Sequence, residues 1–524
     1  MKYINQLFIL VITLSIVLSC KNDDEGDPVA PNQKPDNFEV TVTQVTSRSA
    51  QLDWEAVTDP DGDNITYTIW LNDEEAQAGF SDSEFLLEQL EAETDYTGKV
   101  AASDGKGGIT ESAFAFSTEA FTIGWKRFLG GSANDVARSI QQTDDGGYIA
   151  TGHSASSDGD VGDNEGDTDI WITKLDENGN LLWETNLGGS NEDRSNAIQQ
   201  TTDGGFVVAG HSASADGDVS ENNGDEDYWI VKLDQSGSLV WETSLGGSDT
   251  DIAQSIQQTD DGGYVVVGHS FSSDGDVGNN QGHADYWIVK LDASGSLVWE
   301  TNVGGSNEDI ARSIQQTSDG GFVVAGSTSS FDGDVGGNNG EQDYWIVKLD
   351  QDGDLEWETN LGGSSPENAY EIQLTSDGEF IVAGSSLSSD GDVQSNHGLS
   401  DYWIVKLDDG GDVVWETNLG GSDTDIARSV EQTTDGGFIV TGRSSSLDGD
   451  VEDNEGSWDF WIIKLNSEGS LLWENNIGGS ARENAWSVKQ TADGAYIVAG
   501  SARSDDGDVG GNKGGQDFWI VKLQ

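Results

Sequence analysis

A unit of 58 residues recurs seven times over most of the chain and constrains the fold more than any other feature. Each copy begins with Gly-Gly-Ser, and successive copies follow one another without insertion or deletion. The first glycines of these motifs are Gly130, Gly188, Gly246, Gly304, Gly362, Gly420 and Gly478. A fixed period of this size indicates a repeat architecture, in which one small unit is stacked many times.

Each repeat contains four strand-like runs, as the second copy illustrates. The runs 197–201 and 206–210 are separated by Thr-Asp-Gly-Gly, and the runs 228–234 and 239–245 by Gln-Ser-Gly, both of which are hairpin signals. No run keeps a helical period over a useful length. Four antiparallel strands repeated seven times predict an all-β fold, a seven-bladed β-propeller of 58-residue repeats over residues 121–524.

The two ends of the repeat array predict how the ring closes. The strand Gly-Trp-Lys-Arg-Phe at 124–128 precedes the first repeat. The last repeat ends at the run Trp519-Ile-Val-Lys-Leu and lacks the fourth strand that follows the equivalent run in the other repeats. The early strand is therefore expected to complete the last blade, which removes the free sheet edges that favour aggregation.

The composition is strongly acidic, with 24 Lys and Arg against 96 Asp and Glu and a formal net charge of -72. Such a field repels nucleic acid and anionic membrane surfaces and favours cations, so no nucleic-acid partner is expected. The apolar residues still recur in compact runs and include 18 tryptophans, which is sufficient for a packed core. A single cysteine excludes an intramolecular disulfide.

The N-terminus has the layout of a secretory signal, with a short apolar run that ends in Leu-Ser-Cys. This ending resembles a bacterial lipobox, which implies that residues 1–19 are a lipoprotein signal peptide and that Cys20 is lipidated. The acidic run after Cys20 resembles the surface-export signal of Bacteroidota lipoproteins. Residues 20–36 are expected to be a flexible tether. The resemblance implies an outer-membrane protein exposed at the cell surface, with the lipid as its only membrane contact.

Residues 37–119 show short alternating strands separated by turn signals, which predict a small β-sandwich. Trp54, Leu90 and Tyr96 resemble the fibronectin type III pattern, which implies that Tyr96 forms its tyrosine corner. Three acidic residues, Asp59, Asp61 and Asp63, lie in the turn that contains Pro60. We expect a self-capped Asx turn there, with a Ca²⁺ site as the alternative.

Two tryptophan positions recur in every repeat, and their mid-strand location predicts packing between blades rather than sugar stacking. The repeated lysine of Trp-Ile-Val-Lys-Leu lies between apolar residues and is expected to pair with a carboxylate or a tryptophan face. The unit as a whole, with Leu-Gly-Gly-Ser, Asp-Gly-Gly-Phe-Val-Val-Ala-Gly and Asp-Tyr-Trp-Ile-Val-Lys-Leu-Asp, resembles the SBBP-type bacterial β-propeller repeat. That family implies secreted or surface proteins of mostly unassigned activity.

A long acidic loop with fixed spacing lies between the second and third strands of every repeat, and its oxygen-bearing side chains suit Ca²⁺. The alternative is that Asp and Asn cap their own turns. The predicted Ca²⁺ ligands are Asp158, Asp160, Asn164, Asp169, Asp216, Asp218, Asn222, Asp227, Asp274, Asp276, Asn280, Asp285, Asp332, Asp334, Asn338, Asp343, Asp390, Asp392, Asn396, Asp401, Asp448, Asp450, Asn454, Asp459, Asp506, Asp508, Asn512 and Asp517.

One position near the start of the innermost strand varies sharply although its surroundings are uniform. Side chains at this position are predicted to ring the mouth of the central channel and to bind a ligand, although drift at an exposed site is an equal alternative. They are Arg138, Asn196, Gln254, Arg312, Tyr370, Arg428 and Trp486.

The sequence predicts a non-catalytic, monomeric surface lipoprotein whose propeller binds an extracellular glycan or protein, with loops structured by Ca²⁺. No catalytic residue is predicted, because nearly all carboxylates recur sevenfold and no Gly-x-Ser-x-Gly, His-Glu-x-x-His or phosphate-loop motif occurs. The alternatives are a propeller glycoside hydrolase or polysaccharide lyase, and a structural surface spacer.

Overall fold

The computed structural model describes residues 31–47, 49–87, 90, 94–119, 122–162, 164–452 and 454–524. The signal peptide, Cys20 and most of the tether lie outside these residues. Within them all extended regular structure is β-strand, in two compact units, and no helix is long and apolar enough to cross a membrane. The predicted all-β fold, a small β-sandwich followed by the repeated four-stranded sheets of a propeller, is confirmed.

The first unit is a sandwich of two antiparallel sheets, with strand orders β1-β2-β5 and β4-β3-β6-β7. Its strands are β1 (Val40–Thr43), β2 (Ala50–Trp54), β3 (Thr66–Leu71), β4 (Glu74–Phe80), β5 (Glu84–Leu87), β6 (Asp95–Ser103) and β7 (Ile109–Ser117). Trp54 packs edge-on against Tyr67 in the core, with ring centroids 5.2 Å apart. Tyr96 is buried and stacks on Phe116 at 5.4 Å.

The second unit consists, among the described residues, of seven four-stranded antiparallel sheets, here called blades 1 to 7. The innermost strands are β9 (Asp135–Gln142), β13 (Asp193–Gln200), β17 (Asp251–Gln258), β21 (Asp309–Gln316), β25 (Glu367–Leu374), β29 (Asp425–Gln432) and β33 (Glu483–Gln490). The second strands are β10 (Tyr148–Ser154), β14 (Phe206–Ser212), β18 (Tyr264–Ser270), β22 (Phe322–Thr328), β26 (Phe380–Ser386), β30 (Phe438–Ser444) and β34 (Tyr496–Ala502). The third strands are β11 (Asp169–Leu175), β15 (Asp227–Leu233), β19 (Asp285–Leu291), β23 (Asp343–Leu349), β27 (Asp401–Leu407), β31 (Asp459–Leu465) and β35 (Asp517–Leu523). The outermost strands are β12 (Leu181–Leu187), β16 (Leu239–Leu245), β20 (Leu297–Val303), β24 (Leu355–Leu361), β28 (Val413–Leu419), β32 (Leu471–Ile477) and β8 (Ile123–Leu129).

The ring closes through β8, which comes before all the other strands of this unit in the chain. β8 pairs antiparallel with β35, so that Trp125 lies opposite Lys522, and it completes blade 7 as the sequence predicted. The innermost strands contact one another in succession, and β33 contacts β9. The seven innermost strands therefore surround a central cavity.

Aromatic rings join neighbouring blades, as predicted for the repeated tryptophans. Trp345 in blade 4 is fully buried and lies 4.6 Å from Tyr286 in blade 3, measured between ring centroids. Its indole nitrogen donates to Glu358 of its own blade at 2.9 Å. The tryptophans of the outermost strands also reach the next blade, since Trp299 of blade 3 lies 5.9 Å from Phe322 of blade 4. Burial of these rings supplies much of the apolar area that holds blades together.

The repeated buried lysine pairs with a carboxylate, the first of the two partners that the sequence left open. Lys348 lies 3.1 Å from Asp319, which is part of the turn between the first two strands of the same blade. Lys348 also donates to the carbonyl of Leu349 at 3.1 Å. Its ammonium is thus satisfied at the blade surface while its aliphatic stem is buried.

Candidate functional site

The variable position of the repeat is the extra residue of a β-bulge. In blade 2, Ser195 lies opposite Gly210 and Ala197 lies opposite Ala209, so Asn196 has no partner on β14. The same register shift occurs in all seven blades. A bulge leaves one residue out of the ladder and redirects its side chain. Each blade therefore has one unpaired residue in its innermost strand, at the same level of the ring.

A glycine opposite the bulge makes this geometry possible. A Cβ atom at Gly210 would lie 1.9 Å from the carbonyl oxygen of Arg194, which is far inside contact distance. The equivalent glycines are all equally close to the bulged strand: Gly152, Gly268, Gly326, Gly384, Gly442 and Gly500. Their φ values are ordinary, so space rather than backbone conformation requires glycine here.

All seven variable side chains line one central cavity of about 660 Å³. We call them the ring residues: Arg138, Asn196, Gln254, Arg312, Tyr370, Arg428 and Trp486. Each is partly exposed, and none packs in the core between blades. The structure thus brings the seven predicted ligand-binding residues together at the position expected from the sequence.

Five of the ring residues form a continuous arc in which arginine and aromatic side chains alternate. Tyr370 lies beneath two guanidinium groups, those of Arg312 at 4.7 Å and Arg428 at 3.9 Å. Trp486 is likewise approached by Arg428 at 4.6 Å and Arg138 at 3.8 Å. Cation–π contacts hold the guanidinium planes in fixed orientations. We refer to these five residues as the arginine–aromatic arc.

The three arginines of the arc form no ion pair with a carboxylate among the described residues. Burial first, and then the positive charges of Arg428 and Arg194, lower the pKa of Arg138 to about 10. Nε of Arg138 and of Arg312 is buried and has no hydrogen-bond partner. The arc is therefore a concentrated, poorly solvated positive charge inside a protein that is strongly negative overall.

The tyrosine of the arc has an altered acidity. Burial raises the pKa of Tyr370, but the positive charges of Arg428, Arg312 and Arg443 outweigh it, so that its pKa lies below the usual value. A phenol in this setting gives up its proton more readily than a tyrosine in water. Tyr370 is thus both a support for two guanidiniums and a candidate proton acceptor.

Three further charged residues of the cavity were not among the predicted site residues. Lys489 lies 3.4 Å from Glu371, and its charge also acts on Glu431. Burial raises the pKa of Glu431 above its usual range despite that lysine. A signal was present in the sequence, because Glu371 replaces Ser or Ala and Glu431 and Lys489 replace Gln at positions that the other repeats keep. These departures make blades 5 to 7 chemically different from the rest.

The predicted Ca²⁺ ligands of the acidic loops have different environments. Asp158 accepts a hydrogen bond from the backbone nitrogen of Ser132 at 2.7 Å, and Asn164 bonds two backbone groups, those of Ser154 and Gly166. The same bonds recur in the other six blades. These two positions are therefore occupied as turn caps. The Asp160 and Asp169 positions face the junctions between blades instead.

In the first unit the acidic turn is a self-capped Asx turn, as expected from the sequence. Oδ1 of Asp59 accepts hydrogen bonds from the backbone nitrogens of Asp61 and Asp63 at 2.9 and 3.3 Å. Among the described residues these three are also the only acidic trio whose ligand atoms all lie within 4.8 Å of one another. The Ca²⁺ alternative at this turn remains a prediction.

Comparisons with known proteins identify the first domain. The profile of the Fibronectin type III domain matches residues 33–118, so the chain carries an N-terminal fibronectin type III domain. The Regulatory protein FlaEY of Caulobacter vibrioides is 24% identical over 261 residues, which are 47% of this chain and 26% of that protein. The chain therefore spans only about a quarter of the length of that curated relative.

Solved structures resemble the chain at low identity. The rhamnogalacturonan lyase PL11 of Bacillus licheniformis is 12% identical with a TM-score of 0.31, and the match covers 94% of this chain and 91% of the lyase. The extracellular domain of a hybrid two-component system from B. thetaiotaomicron is 11% identical with a TM-score of 0.40, covering 94% of this chain and 59% of that one.

Proposed function

We propose that the second unit binds an acidic extracellular glycan without cleaving it, holding a sugar carboxylate against the arginine–aromatic arc. The observation that carries this proposal is the set of three arginines, Arg138, Arg312 and Arg428, that line the cavity without a carboxylate partner. A poorly solvated cation without a counter-charge is costly, so a fold that keeps three of them together favours an anion in their midst.

The charge of the rest of the protein sharpens this selectivity. A net charge of -72 repels anions from most of the surface, so an acidic ligand gains affinity only where positive charge is concentrated. Guanidinium groups match carboxylates with two parallel hydrogen bonds, and the cation–π contacts of the arc fix those groups before the ligand arrives. Little ordering entropy is then lost on binding.

The size and lining of the cavity favour a sugar over a protein surface. Its volume of about 660 Å³ falls within the range of small-molecule pockets and excludes a folded partner. Amide side chains of Asn196 and Gln254 complete the ring opposite the arc, where they can hydrogen-bond sugar hydroxyls. The terminal unit of an acidic polysaccharide satisfies both features.

Calorimetric titration of the full chain with oligogalacturonate and with a neutral oligosaccharide of equal length tests the proposal. We expect binding of the acidic ligand alone, weakened about 10-fold to 100-fold by Arg428→Gln, because hydrogen bonds to charged groups contribute about 1.5–3 kcal/mol. The matched control is Arg503→Gln, which removes the same charge from an exposed side chain. Equal binding of the neutral ligand, or equal losses in both variants, would refute it; binding of neither ligand favours the structural spacer.

A specific observation favours a second candidate, a polysaccharide lyase. Tyr370, with its lowered pKa, lies between Arg312 and Arg428. In β-elimination the arginines would neutralise a uronate carboxylate, and the phenolate would take the proton from the adjacent carbon. The glycosidic C–O bond then breaks, and the leaving oxygen takes a proton from a cavity acid such as Glu431. Ultraviolet absorbance of the resulting unsaturated uronide, present in wild type and absent in Tyr370→Phe, would establish this activity over simple binding.

We also propose that this propeller lies outside the cell and is attached to the membrane through a lipid on Cys20. The Leu-Ser-Cys ending of the apolar leader and the acidic run that follows support this location. Metabolic labelling with a clickable palmitate should mark the wild type and not Cys20→Ser, and external protease should digest the protein on intact cells. Labelling that persists in Cys20→Ser would contradict the anchor.

A further inference from the structure

A cluster of three carboxylates lies at each junction between neighbouring blades. At the junction of blades 1 and 2 it consists of Asp169, the first residue of β11, Asp193, the first residue of β13, and Asp218, in the acidic loop of blade 2. The same three repeat positions meet at the five junctions between blades 2 and 3, 3 and 4, 4 and 5, 5 and 6, and 7 and 1, with Glu367 in place of the second Asp at one of them. At the junction of blades 6 and 7, Asp459 meets Glu483 and Glu455. We call these residues the junction carboxylates.

One oxygen of the first junction carboxylate is buried and has no partner. Asp169 is 1% exposed; its Oδ2 accepts a hydrogen bond from the nitrogen of Glu165 at 2.7 Å, while its Oδ1 has none. The equivalent oxygen is unpartnered in all seven blades, in Asp227, Asp285, Asp343, Asp401, Asp459 and Asp517 as well. A buried carboxylate oxygen that is left unpaired is costly. Because this oxygen is unpaired in all seven blades, the pattern favours a ligand at this position.

The second carboxylate points at the same place from the next blade. Asp193 is fully buried and accepts hydrogen bonds from the hydroxyls of Ser212 and Ser214 and from the nitrogen of Gly189. A Cβ built on Gly188 would lie 2.7 Å from both Oδ1 of Asp169 and Oδ2 of Asp193. The two oxygens therefore converge on the glycine that links the blades.

The chain itself supplies a basic side chain to this cluster at two junctions. Where blade 7 meets blade 1, the ammonium of Lys513 contacts Asp160, which is the third carboxylate of that junction. Where blade 5 meets blade 6, Nδ1 of His397 lies 3.5 Å from Asp401 and 3.8 Å from Asp450. Both basic residues occupy one repeat position, which is filled elsewhere by Glu165, Asn223, Gln281, Asn339 and Glu455.

We propose that the junctions without a basic side chain bind a hard divalent cation of the Ca²⁺ type between blades, held by the junction carboxylates. The site at the first junction is the strongest, because Glu165 adds a fourth carboxylate there. At the sixth junction Glu455 is the third carboxylate, beside Asp459 and Glu483. The carboxylate of Glu165 already reaches the turn at Gly217 in blade 2. Oxygen ligands alone, in a flexible acidic loop, are what Ca²⁺ prefers. The closing junction needs no ion, since Lys513 is present.

A bound ion requires a small movement of the loop. The junction trios are not within 4.8 Å of one another in the described residues, so the ion would draw Asp218 from its hydrogen bond to the nitrogen of Gly188, which is long at 3.4 Å. The ligand set differs from the predicted one, in which four residues of a single loop bind the ion. Here the ion joins two blades, and two capping residues of the loop take no part.

The test is calorimetric counting of Ca²⁺ equivalents in the full chain after removal of divalent ions. Glu165→Lys should remove one equivalent, since it copies Lys513, and Lys513→Glu should add one. The control Glu177→Lys makes the same charge change at an exposed residue of a distant turn of blade 1 and should remove none. All three substitutions are at exposed or half-exposed residues, so folding is preserved and can be checked by circular dichroism. Absence of Ca²⁺ binding, or an unchanged count in Glu165→Lys, overturns the proposal.

A double variant separates the junction site from a site within one loop. Glu165→Lys and Asp218→Asn affect the same junction but belong to the loops of different blades. If the ion lies between blades, the double variant loses one equivalent, the same as either single variant. Loss of two equivalents would place each ion inside its own loop and overturn the junction proposal.

Discussion

The close packing of the bulge can be tested at Gly326, which lies opposite the bulge that carries Arg312. A Cβ there would lie 2.0 Å from the carbonyl oxygen of Ile310 and 2.6 Å from the hydroxyl of Tyr286. A carbon–oxygen contact needs about 3.3 Å, so Gly326→Ala must push β21 and β22 apart by more than an ångström. Overpacking of this kind costs about 1–3 kcal/mol, and we expect the upper end because one neighbour is backbone. Displacing the tyrosine hydroxyl from the carbonyl of Trp345, which it reaches at 3.0 Å, adds about 1 kcal/mol.

The expected change in melting temperature follows from these energies. With an unfolding entropy of about 2.1 cal/mol/K per residue over roughly 400 residues, a loss of about 3–4 kcal/mol lowers Tm by about 4 °C. Thermal unfolding followed by tryptophan fluorescence measures it. The matched control is Gly337→Ala in the loop of the same blade, where no atom lies within 4 Å of the added carbon and φ is not positive. If both variants melt at the same temperature, the reasoning about the bulge is wrong.

The remaining predictions concern contacts that hold blades together. Tyr344→Phe removes a hydroxyl that donates to the carbonyl of Trp403 in the next blade at 2.9 Å, and should cost about 0.5–1.5 kcal/mol by urea unfolding. Trp403→Ala should cost about 3–5 kcal/mol in the same assay, because a fully buried ring is replaced by a cavity. Hydrogen bonding, first from Thr259 and then from Gly263 and Lys290, lowers the pKa of Asp261 to about 2. Since its unfolded pKa is near 3.8, its stabilisation is complete above that pH and is lost as pH falls through about 2. Asp261→Asn should therefore destabilise the protein at neutral pH and much less at pH 2.

The sequence predicts much of this fold because the information is local and repeated. Alternating runs and Asp-Gly-Gly turns specify the four strands of each repeat. The additional strand around Trp125, which precedes the first repeat, specifies how the ring closes. The position of the ring residues was also predictable, because variation at Arg138 and its equivalents contrasts with uniform neighbours. The bulge itself was not predicted, although a glycine inside the second strand of each blade is a known sign of one.

The unpredicted features depend on which repeats meet in space. Asp169 and Asp193 are 24 positions apart and belong to different blades, so a reading of one repeat at a time assigns them to separate loops. The asymmetric group of Glu371, Glu431 and Lys489 was missed for a related reason, since each is a single departure from the repeat and only the closed ring places them in one cavity. The four-residue loop sites for Ca²⁺ stay a prediction. In the structure, two of the four positions, those of Asp158 and Asn164, are hydrogen-bonded to backbone groups.

The bulge explains why variation is concentrated at one position of the repeat. Neighbours of the ring residue such as Ala137 and Ile140 are buried between blades, so a change there disturbs packing and costs stability. The bulged residue neither pairs with the adjacent strand nor packs in the core, so its replacement changes the cavity and leaves the frame intact. Each such position can be altered without disturbing the packing of its own blade, although neighbouring ring residues of the arc contact one another and are coupled. A propeller built in this way can acquire an arc of arginines, or any other recognition surface, without a compensating change elsewhere.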